Sequence, residues 1–358
     1  MKARADEKRD PATAITVRQG LVNGLLALVS LGAALALSEV VLRRYESTVV
    51  EQARVEAGDS AMDKWVWSFP DSNFDFRKAF QWDLHGDSLI HTRSANRKLV
   101  YEMRPNTAIG DVIKINPLGF RERDFSATKP AGVCRILVVG DSVTFGWEQK
   151  VEDTYPKVLE SLLNSQESSA QRYEVLNLGV VGYNAEQEME LIKTRALDFQ
   201  PDLVLIGYCV NDPAVGADRG LWHHFTRTRF CTWDFVKLRC AVLAERFSRE
   251  GLVERSYREI ARVCAERRVP VVVTLFPAIW IAHPVGSYYQ ENRAMQELCA
   301  HLGLTALDLF PAFAAADPDS SNVVNKVLVG VHPTALGNRV AAEAICRFLK
   351  ERVFGAKP

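Results

Sequence analysis

The sequence lacks an excess of charge of either sign. Its 358 residues carry 44 Lys and Arg side chains and 44 Asp and Glu side chains, so the formal net charge is zero. A nucleic-acid-binding protein held by a general electrostatic field needs a basic excess or a basic domain. The balance therefore argues against nucleic acid as a partner. A composition that is 47% hydrophobic and 25% charged is typical of a globular chain and excludes wholesale disorder.

Cysteine is sparse and scattered. The seven cysteines include no Cys-x-x-Cys pair and their number is odd, so the sequence predicts no zinc ribbon, thioredoxin-like redox motif or disulfide-stapled scaffold. Cys231 and Cys240 are close enough in sequence for a local bridge, and their spacing leaves that pairing open. No repeat, low-complexity segment, metal motif or cofactor motif occurs, so we predict that the protein uses neither a metal nor an organic cofactor.

Charge is absent altogether from one long run near the N-terminus. Residues 20–38 contain no charged side chain, and after Glu39 the apolar stretch continues to residue 42. A helix needs about 20 such residues to cross the hydrocarbon core of a membrane. We therefore predict a transmembrane signal anchor over residues 20–42. A signal peptide cleaved at Ala34-Leu35-Ala36 and a buried core helix are the alternatives.

Basic residues flank both ends of this run and indicate its orientation. They number five on the N-terminal side and three on the C-terminal side: Lys2, Arg4, Lys8, Arg9 and Arg18, then Arg43, Arg44 and Arg54. Because cytoplasmic flanks of membrane helices are enriched in Lys and Arg, we predict a cytoplasmic tail over residues 1–19. The body of the protein would then lie on the periplasmic, or extracytoplasmic, side of the membrane.

Residues 43–130 lack a regular alternation of strands and helices. The region begins with a charged stretch, predicted to be helical as far as Lys64, and continues with seven Trp and Phe residues between Trp65 and Trp82. It ends in short predicted strands and turns punctuated by Pro and Gly. We interpret the aromatic residues as packing onto the following domain, with a carbohydrate-binding platform as the alternative.

Residues 131–358 alternate short apolar runs with amphipathic segments. The runs predict strands at 135–139, 173–178, 203–206, 269–275 and 304–309. The segments predict helices at 155–164, 186–199, 253–267, 288–301 and 335–353. Such an alternation forms a parallel sheet covered by helices on both faces, which is an α/β fold. Ligand sites in these sheets lie at the carboxyl ends of the strands.

Four short blocks stand where predicted strands end. Ser142 lies in a Gly-Asp-Ser turn after the first strand, where a serine is either a nucleophile or an ordinary helix N-cap. Gly182 follows the second strand, where it either brings a backbone N–H close to a ligand or forms a turn. Asn211 follows the third strand and either donates to an oxyanion or forms a turn. His332 precedes the last helix and is followed by a Pro that fixes the helix start.

In order, spacing and placement these blocks resemble the SGNH, or GDSL-type, hydrolase family, which is named for its Ser, Gly, Asn and His. The resemblance covers about residues 132–355. The strings at 140–147 and 116–121 are similar to those of membrane-anchored bacterial members. The resemblance implies a three-layer, flavodoxin-like fold in which Ser142 is the nucleophile and His332 is the general base.

The resemblance also implies an oxyanion hole made by the backbone N–H groups of Ser142 and Gly182 and the side chain of Asn211, with Asp141 and Asp212 as possible supporting residues. Acyl transfer needs such donors where the carbonyl oxygen becomes negative. The implied activity is hydrolysis of carboxylic esters, with O-acetyl groups on envelope carbohydrate or exopolysaccharide as the substrate class. An O-acyltransferase that acts on polysaccharide is the alternative.

The sequence departs from the family pattern three residues before His332. The family usually has an Asp there that orients the ring, whereas this chain has Val329, which cannot accept a hydrogen bond from Nδ1. Three interpretations follow: a Ser-His dyad, a substitute carboxylate, or a catalytically silent binding or scaffold domain. The carboxylates considered as substitutes are Asp308, Asp317, Asp319 and Asp212.

A long insertion at residues 213–246 separates the third strand from the next helix. It is rich in aromatic and basic residues, including Trp222, Phe230, Trp233 and Arg239. Loops of this length are functional or disordered, and this composition is too aromatic for disorder. The insertion is therefore interpreted as a cap that sets specificity, as a lid packed on the domain, or as a surface that sits on anionic lipid headgroups.

Overall fold

The computed structural model describes residues 19, 22–44, 90–109, 113–147, 149–165, 171–209, 212–213, 232–233, 236–237, 240, 243–244, 248, 250–277, 286–316, 328–329 and 332–355. The predicted helix beyond residue 44, the aromatic cluster and most of the insertion lie outside these residues. The chain divides into two compact units. The smaller unit is residues 1–60 with 227–240, and the larger unit is residues 61–226 with 241–358.

The smaller unit contains one long apolar helix. Helix α1, Val22–Arg44, is long and apolar enough to cross a membrane by length and composition, and none of its most apolar stretch is buried. Its leucines are exposed, for example Leu25, Leu28 and Leu37. A core helix would bury such side chains. The interpretation as a buried core helix is therefore wrong, and a membrane span and a signal sequence remain.

Segment 227–240 belongs to the same unit and contacts α1 near the end of the helix. The backbone N–H and the hydroxyl of Thr232 donate to Glu39 Oε2 at 2.8 and 2.9 Å. Arg43 Nε lies 2.7 Å from the other carboxylate oxygen. The groove around this contact is apolar and is lined by Leu35, Ala36, Trp233 and Val236. Both oxygens of the acidic side chain that interrupts the apolar run thus have hydrogen-bond partners.

Two short antiparallel hairpins precede the central sheet of the larger unit. Strand β1, His91–Arg93, pairs with β2, Tyr101–Met103. Strand β3, Ala108–Ile109, pairs with β4, Ile113–Lys114. The β1–β2 hairpin is held by buried tyrosines, because Tyr183 Oη donates to the Tyr101 carbonyl at 2.7 Å. The hairpin residues thus pack onto the rest of the larger unit through hydrogen bonds as well as apolar contacts.

The central sheet has five parallel strands. They are β5 (Val133–Gly140), β6 (Arg172–Asn177), β7 (Leu203–Tyr208), β8 (Val271–Leu275) and β9 (Thr305–Asp308). Their order across the sheet is β6-β5-β7-β8-β9, so the first strand lies second, as in flavodoxin-like sheets. Two-residue strands, β10 (Leu328–Val329) and β11 (His332–Pro333), form a separate antiparallel pair.

Helices cover both faces of the sheet. They are α2 (Ser142–Phe145), α3 (Tyr155–Asn164), α4 (Ala185–Thr194), α5 (Leu252–Glu266), α6 (Gly286–His301), α7 (Phe310–Ala316) and α8 (Ala335–Phe348). Successive residues of β5 point to opposite faces, so Ile136 joins the core that contains Leu159 of α3, and Leu137 joins the core that contains Ile260 of α5. The predicted three-layer α/β fold with a parallel sheet is confirmed.

Element boundaries differ from the predictions where backbone geometry interrupts an apolar pattern. The helix predicted over 186–199 ends at Thr194, and a 3₁₀ turn, Ala196–Phe199, follows. The strand predicted from residue 269 begins at Val271, because the Val269 N–H bonds back to the Cys264 carbonyl at 2.9 Å and closes the preceding helix. The last helix ends at Phe348 and continues as a π-helical turn rather than as α-helix to residue 353.

The cysteines within the described residues are reduced thiols. Free thiols are found at Cys134, Cys209, Cys240, Cys264, Cys299 and Cys346. Cys231 lies outside the described residues, so its pairing with Cys240 stays an open prediction of the sequence. Burial raises the pKa of both Cys264 and Cys299 to about 12, which keeps these thiols protonated.

Candidate active site

Ser142 is the first residue of helix α2, directly beyond the carboxyl end of β5. The N-cap of this helix is Asp141, whose Oδ1 accepts from the Val143 N–H at 2.9 Å. The alternative interpretation of Ser142 as an ordinary N-cap is therefore wrong, because the neighbouring aspartate has that role. Only 7% of Ser142 is exposed, so its hydroxyl lies in a largely dehydrated setting.

A buried arginine holds the far end of the short serine helix. The Arg121 guanidinium donates to the carbonyls of Phe145 and Gly146 at 3.1 and 2.7 Å, and to that of Gln149 at 2.6 Å. It also lies over the Phe145 ring, 4.9 Å from its centroid. Burial lowers the pKa of Arg121 to about 10, so the guanidinium stays charged at neutral pH. The string at 116–121 thus ends in a side chain that fixes α2.

Strand β11 brings His332 to the serine. His332 Nε2 lies 2.9 Å from Ser142 Oγ, which is hydrogen-bonding distance. The residues that follow His332 fix the start of helix α8, since the Thr334 side chain caps it by accepting from the Gly337 N–H at 3.2 Å. Desolvation lowers the pKa of His332 to about 4, so the imidazole is neutral at pH 7. A neutral Nε2 can accept the serine proton when Nδ1 carries the ring hydrogen.

None of the described carboxylates hydrogen-bonds to His332. Asp308 accepts instead from Asn292 Nδ2 at 3.1 Å and from the Phe310 N–H at 3.0 Å. Asp212 accepts from the Cys209 N–H at 2.6 Å. Two other candidates, Asp317 and Asp319, lie outside the described residues. Position 329 is the backbone partner of His332 in the β10–β11 pair, so an aspartate there would stand directly opposite the histidine.

The loop after β6 passes close to the serine helix. Gly182 has φ +77°, a conformation that side chains other than glycine rarely adopt. The closest approach occurs earlier in the loop: a Cβ on Gly179 would lie 2.4 Å from the Phe145 backbone nitrogen. The sequence pointed to Gly182 and gave no reason to select Gly179. Asn211, the third predicted oxyanion donor, lies outside the described residues, although its neighbour Asp212 is described.

Buried polar residues surround the serine turn on the side away from the histidine. Asp141 Oδ2 accepts from Cys209 Sγ at 2.9 Å and lies 3.5 Å from Ser142 Oγ. Glu188, on helix α4, is also fully buried. Sequence reasoning missed Cys209 and Glu188. Cys209 has no partner at motif spacing, and Glu188 occurs among polar residues at 184–188 that resemble a solvent-exposed helix face. Among the residues described, no group of His, Cys, Asp or Glu could hold a metal ion.

A serine hydroxyl within hydrogen-bonding distance of a histidine at the carboxyl ends of parallel strands is an arrangement that can carry out acyl transfer. The chain belongs to the GDSL-like lipase/acylhydrolase family, whose sequence model matches residues 138–340. It is accordingly a hydrolase that acts on ester bonds, and the resemblance noted in the sequence is confirmed. No curated protein matches the chain.

Several solved structures are similar to this chain at low sequence identity. The lipase/acylhydrolase from Enterococcus faecalis is 17% identical, with 61% of this chain and 96% of that chain covered and a TM-score of 0.42. A two-domain esterase active on acetylated mannans is 16% identical, with 63% and 51% covered and a TM-score of 0.43. A mutant of an acetyl-xylooligosaccharide esterase from a Geobacillus species is 16% identical, with 60% and 92% covered and a TM-score of 0.41.

Proposed function

We propose that the protein is a membrane-anchored serine esterase in which Ser142 is the nucleophile and His332 is the general base. The observation that carries this proposal is the 2.9 Å separation of Ser142 Oγ and His332 Nε2. A serine hydroxyl is a weak nucleophile unless a base within hydrogen-bonding reach removes its proton. The lowered pKa of His332 keeps its imidazole neutral and able to take that proton.

The reaction proceeds in two halves through an acyl-enzyme. Ser142 Oγ attacks the ester carbonyl carbon while its proton passes to His332 Nε2, and a tetrahedral oxyanion forms. His332 then returns the proton to the departing alcohol, the ester C–O bond breaks, and the acyl group stays on Ser142. A water molecule attacks the acyl carbon and gives its proton to His332, and collapse releases the acid and restores the serine hydroxyl.

The backbone N–H groups of Ser142 and Gly182 and the side-chain amide of Asn211 are proposed to hold the oxyanion. The N–H groups of Ser142 and Gly182 belong to two loops that lie side by side. The Val180 N–H donates to the Gly140 carbonyl at 3.0 Å and so fixes the loop that contains Gly182 beside the serine turn. Loss of one donor of this kind typically costs about 10²–10³ in kcat.

His332 works in this proposal without a carboxylate partner. Position 329 holds Val, and the described carboxylates bond elsewhere. In a serine protease, disabling the third triad residue lowers kcat about 10⁴-fold and still leaves catalysis above the uncatalysed rate. A dyad is therefore chemically sufficient, at lower efficiency than a full triad.

The proposed substrates are O-acetyl esters of envelope carbohydrate or exopolysaccharide. The proposal follows from family membership and from the position of the enzyme, since α1 would hold a domain of residues 131–358, preceded by a tether of residues 43–130, at the outer face of the membrane. The same acyl-enzyme would serve an O-acyltransferase if a sugar hydroxyl rather than water attacked it. The two activities differ only in the acceptor.

The test compares aryl acetate hydrolysis by the full-length protein in detergent with that of two variants. Ser142→Ala is expected to reduce kcat by about 10⁶, the loss that follows removal of a serine nucleophile. The matched control, Ser165→Ala, changes an exposed serine of the same domain and should keep the parental rate. Equal rates for parent and Ser142→Ala would contradict the enzyme mechanism. Acylated product after addition of an oligosaccharide acceptor would instead identify a transferase.

A further inference from the structure

Two buried acidic side chains meet behind the serine turn. Glu188, on helix α4, and Asp212, in the loop after β7, are 0% and 1% exposed. Glu188 follows by three residues Ala185, whose N–H donates to the Asp212 carbonyl at 3.3 Å, and each carboxyl group has the other as its hydrogen-bonding neighbour. Neither of them forms an ion pair with a Lys or Arg of the part of the chain that the structure describes. The two acids are therefore not compensated by a neighbouring cation.

The oxygen atoms of this pair are short of hydrogen-bond donors. Asp212 Oδ2 accepts from the Cys209 N–H at 2.6 Å, whereas Asp212 Oδ1 and both carboxyl oxygens of Glu188 have no donor. Two ionised carboxylates cannot hydrogen-bond to each other, and a buried oxygen without a donor is destabilising, more so when it is charged. A single proton between the two groups supplies the missing hydrogen bond and removes one buried charge.

We propose that Glu188 and Asp212 share one proton and act as a positioning pair that holds together the two loops predicted to carry the oxyanion donors Gly182 and Asn211. The inference rests on the proposed function, because it assigns these two residues a part in building its oxyanion hole. Neither residue contacts the reacting atoms in this proposal. Both act through the loops that they join.

Two contacts besides the acid pair connect these segments, and a third closes the loop after β7. Helix α4 begins three residues after Gly182, and its first N–H, that of Ala185, donates to the Asp212 carbonyl at 3.3 Å. The Cys209 N–H donates to Asp212 Oδ2 at 2.6 Å, which links the end of β7 to Asp212. The Cys209 thiol in turn donates to Asp141 Oδ2, beside Ser142. These hydrogen bonds connect the serine turn, the start of helix α4 after Gly182, and the loop after β7. Glu188 adds a side chain from helix α4 to this network.

The electrostatic surroundings keep the shared proton in place. Burial, together with repulsion from Asp212 and Asp141, raises the pKa of Glu188 well above its ordinary value. Burial also raises the pKa of Asp212 well above its ordinary value. The other titratable groups that face the pair are the phenols of Tyr257 on α5 and Tyr155 on α3. Both phenols are neutral at pH 7, because burial raises the pKa of each of them. The pair therefore titrates as a unit.

Infrared spectroscopy of the full-length protein in detergent tests the shared proton without any assay of activity. At pH 7 the parent should show the carbonyl stretch of a protonated carboxylic acid, shifted by deuterium exchange, and Glu188→Gln should lose this band. The matched control is Glu186→Gln, an exposed glutamate on the same helix, which should retain the band. Absence of the band from the parent, or its persistence in Glu188→Gln, would overturn the proposal.

Activity then tests the positioning role. Glutamine reproduces the shape and the donor of a protonated glutamate, so Glu188→Gln should keep kcat within about twofold, whereas Glu188→Leu removes the proton donor for Asp212 Oδ1. For Glu188→Leu we expect kcat to fall by about 10²-fold, the loss of one oxyanion donor, with KM little changed. An equal loss of kcat in Glu188→Gln and Glu188→Leu would contradict the positioning role, even if Glu188→Leu is unstable. If Ser142→Ala hydrolyses ester as fast as the parent, the proposed function fails, and the infrared result still decides the shared proton.

Discussion

At the scale of single residues, the environment of His332 sets the pH range in which the proposed base can work. Desolvation disfavours the charged imidazolium and lowers the pKa to about 4. Because the unfolded chain would bind this proton at about pH 6.5, the histidine also makes folding less favourable as the pH falls from about 6.5 to about 4. No described carboxylate counteracts the shift by stabilising the positive ring.

The acid limb of kcat/KM reports this pKa in the free enzyme. We expect kcat/KM for an aryl acetate to stay level from pH 7 to about pH 5 and to fall only near pH 4, as the imidazole takes up a proton. Val329→Asp would place a carboxylate opposite the histidine in the β10–β11 pair, where its charge favours the protonated ring. The limb should then move to higher pH, and kcat at pH 7 should rise or be preserved.

Val329→Asn is the matched control, since it offers a hydrogen-bond acceptor of the same size without the charge. It should leave the acid limb where the parent has it. A limb near pH 6.5 in the parent would contradict the effect assigned to burial. A collapse of kcat in Val329→Asp would mean that another group already occupies the place of the family aspartate.

At the scale of elements, the four-residue helix α2 depends on contacts outside itself. A helix this short gains little from its own hydrogen bonds. Asp141 caps its beginning, and Arg121 bonds the carbonyls at and beyond its end. The arginine comes from the region ahead of the hydrolase-like domain, so that region contributes directly to the position of Ser142.

Replacement of Arg121 should therefore loosen the serine helix as well as destabilise the fold. Arg121→Lys keeps the charge but cannot reach three carbonyls with one ammonium group. We expect the free energy of unfolding to fall by about 2–3 kcal/mol, as for lost hydrogen bonds to a charged group, and kcat to fall with it. Urea unfolding and aryl acetate hydrolysis measure the two effects.

Arg123→Lys is the control, because this half-exposed arginine pairs with Glu160 nearer the surface, at 2.7 Å. Surface ion pairs of this kind contribute about 0–1 kcal/mol. Equal destabilisation by the two substitutions would show that the carbonyl contacts of Arg121 do not matter. If Arg121→Lys lowered the free energy of unfolding but left kcat unchanged, Arg121 would stabilise the fold without positioning Ser142.

The elements also show where sequence patterns lose their predictive power. Runs such as 203–206 predicted strands because buried parallel strands are apolar on both faces. Ser142 and His332 could be selected because their residue types are reactive and stand at strand ends. Glu188 and Arg121 could not be assigned their roles, since a charged side chain in sequence has the same appearance whether it is exposed or buried. Their burial is decided by packing between elements that are far apart in the chain.

At the scale of the whole molecule, helix α1 and Thr232 of the insertion are connected through Glu39. A carboxylate near the end of an apolar helix is costly in a membrane unless it is paired. Here Thr232, from segment 227–240, supplies two hydrogen bonds, and Arg43 supplies an ion pair. A segment inserted after β7 in the sequence thus contacts helix α1 within the smaller unit.

Topology can be tested with the uncleaved full-length protein and with fusions to alkaline phosphatase, which is active only outside the cytoplasm. A fusion after residue 60 should be active, because α1 with its basic N-terminal flank is expected to export the chain on its C-terminal side. A fusion after residue 19, ahead of the helix, is the control and should be inactive. A stable but inactive fusion after residue 60 would contradict the orientation. If alkaline carbonate released the protein from the membrane, and its mass showed the loss of about 36 residues, the N-terminal segment would be a cleaved signal peptide.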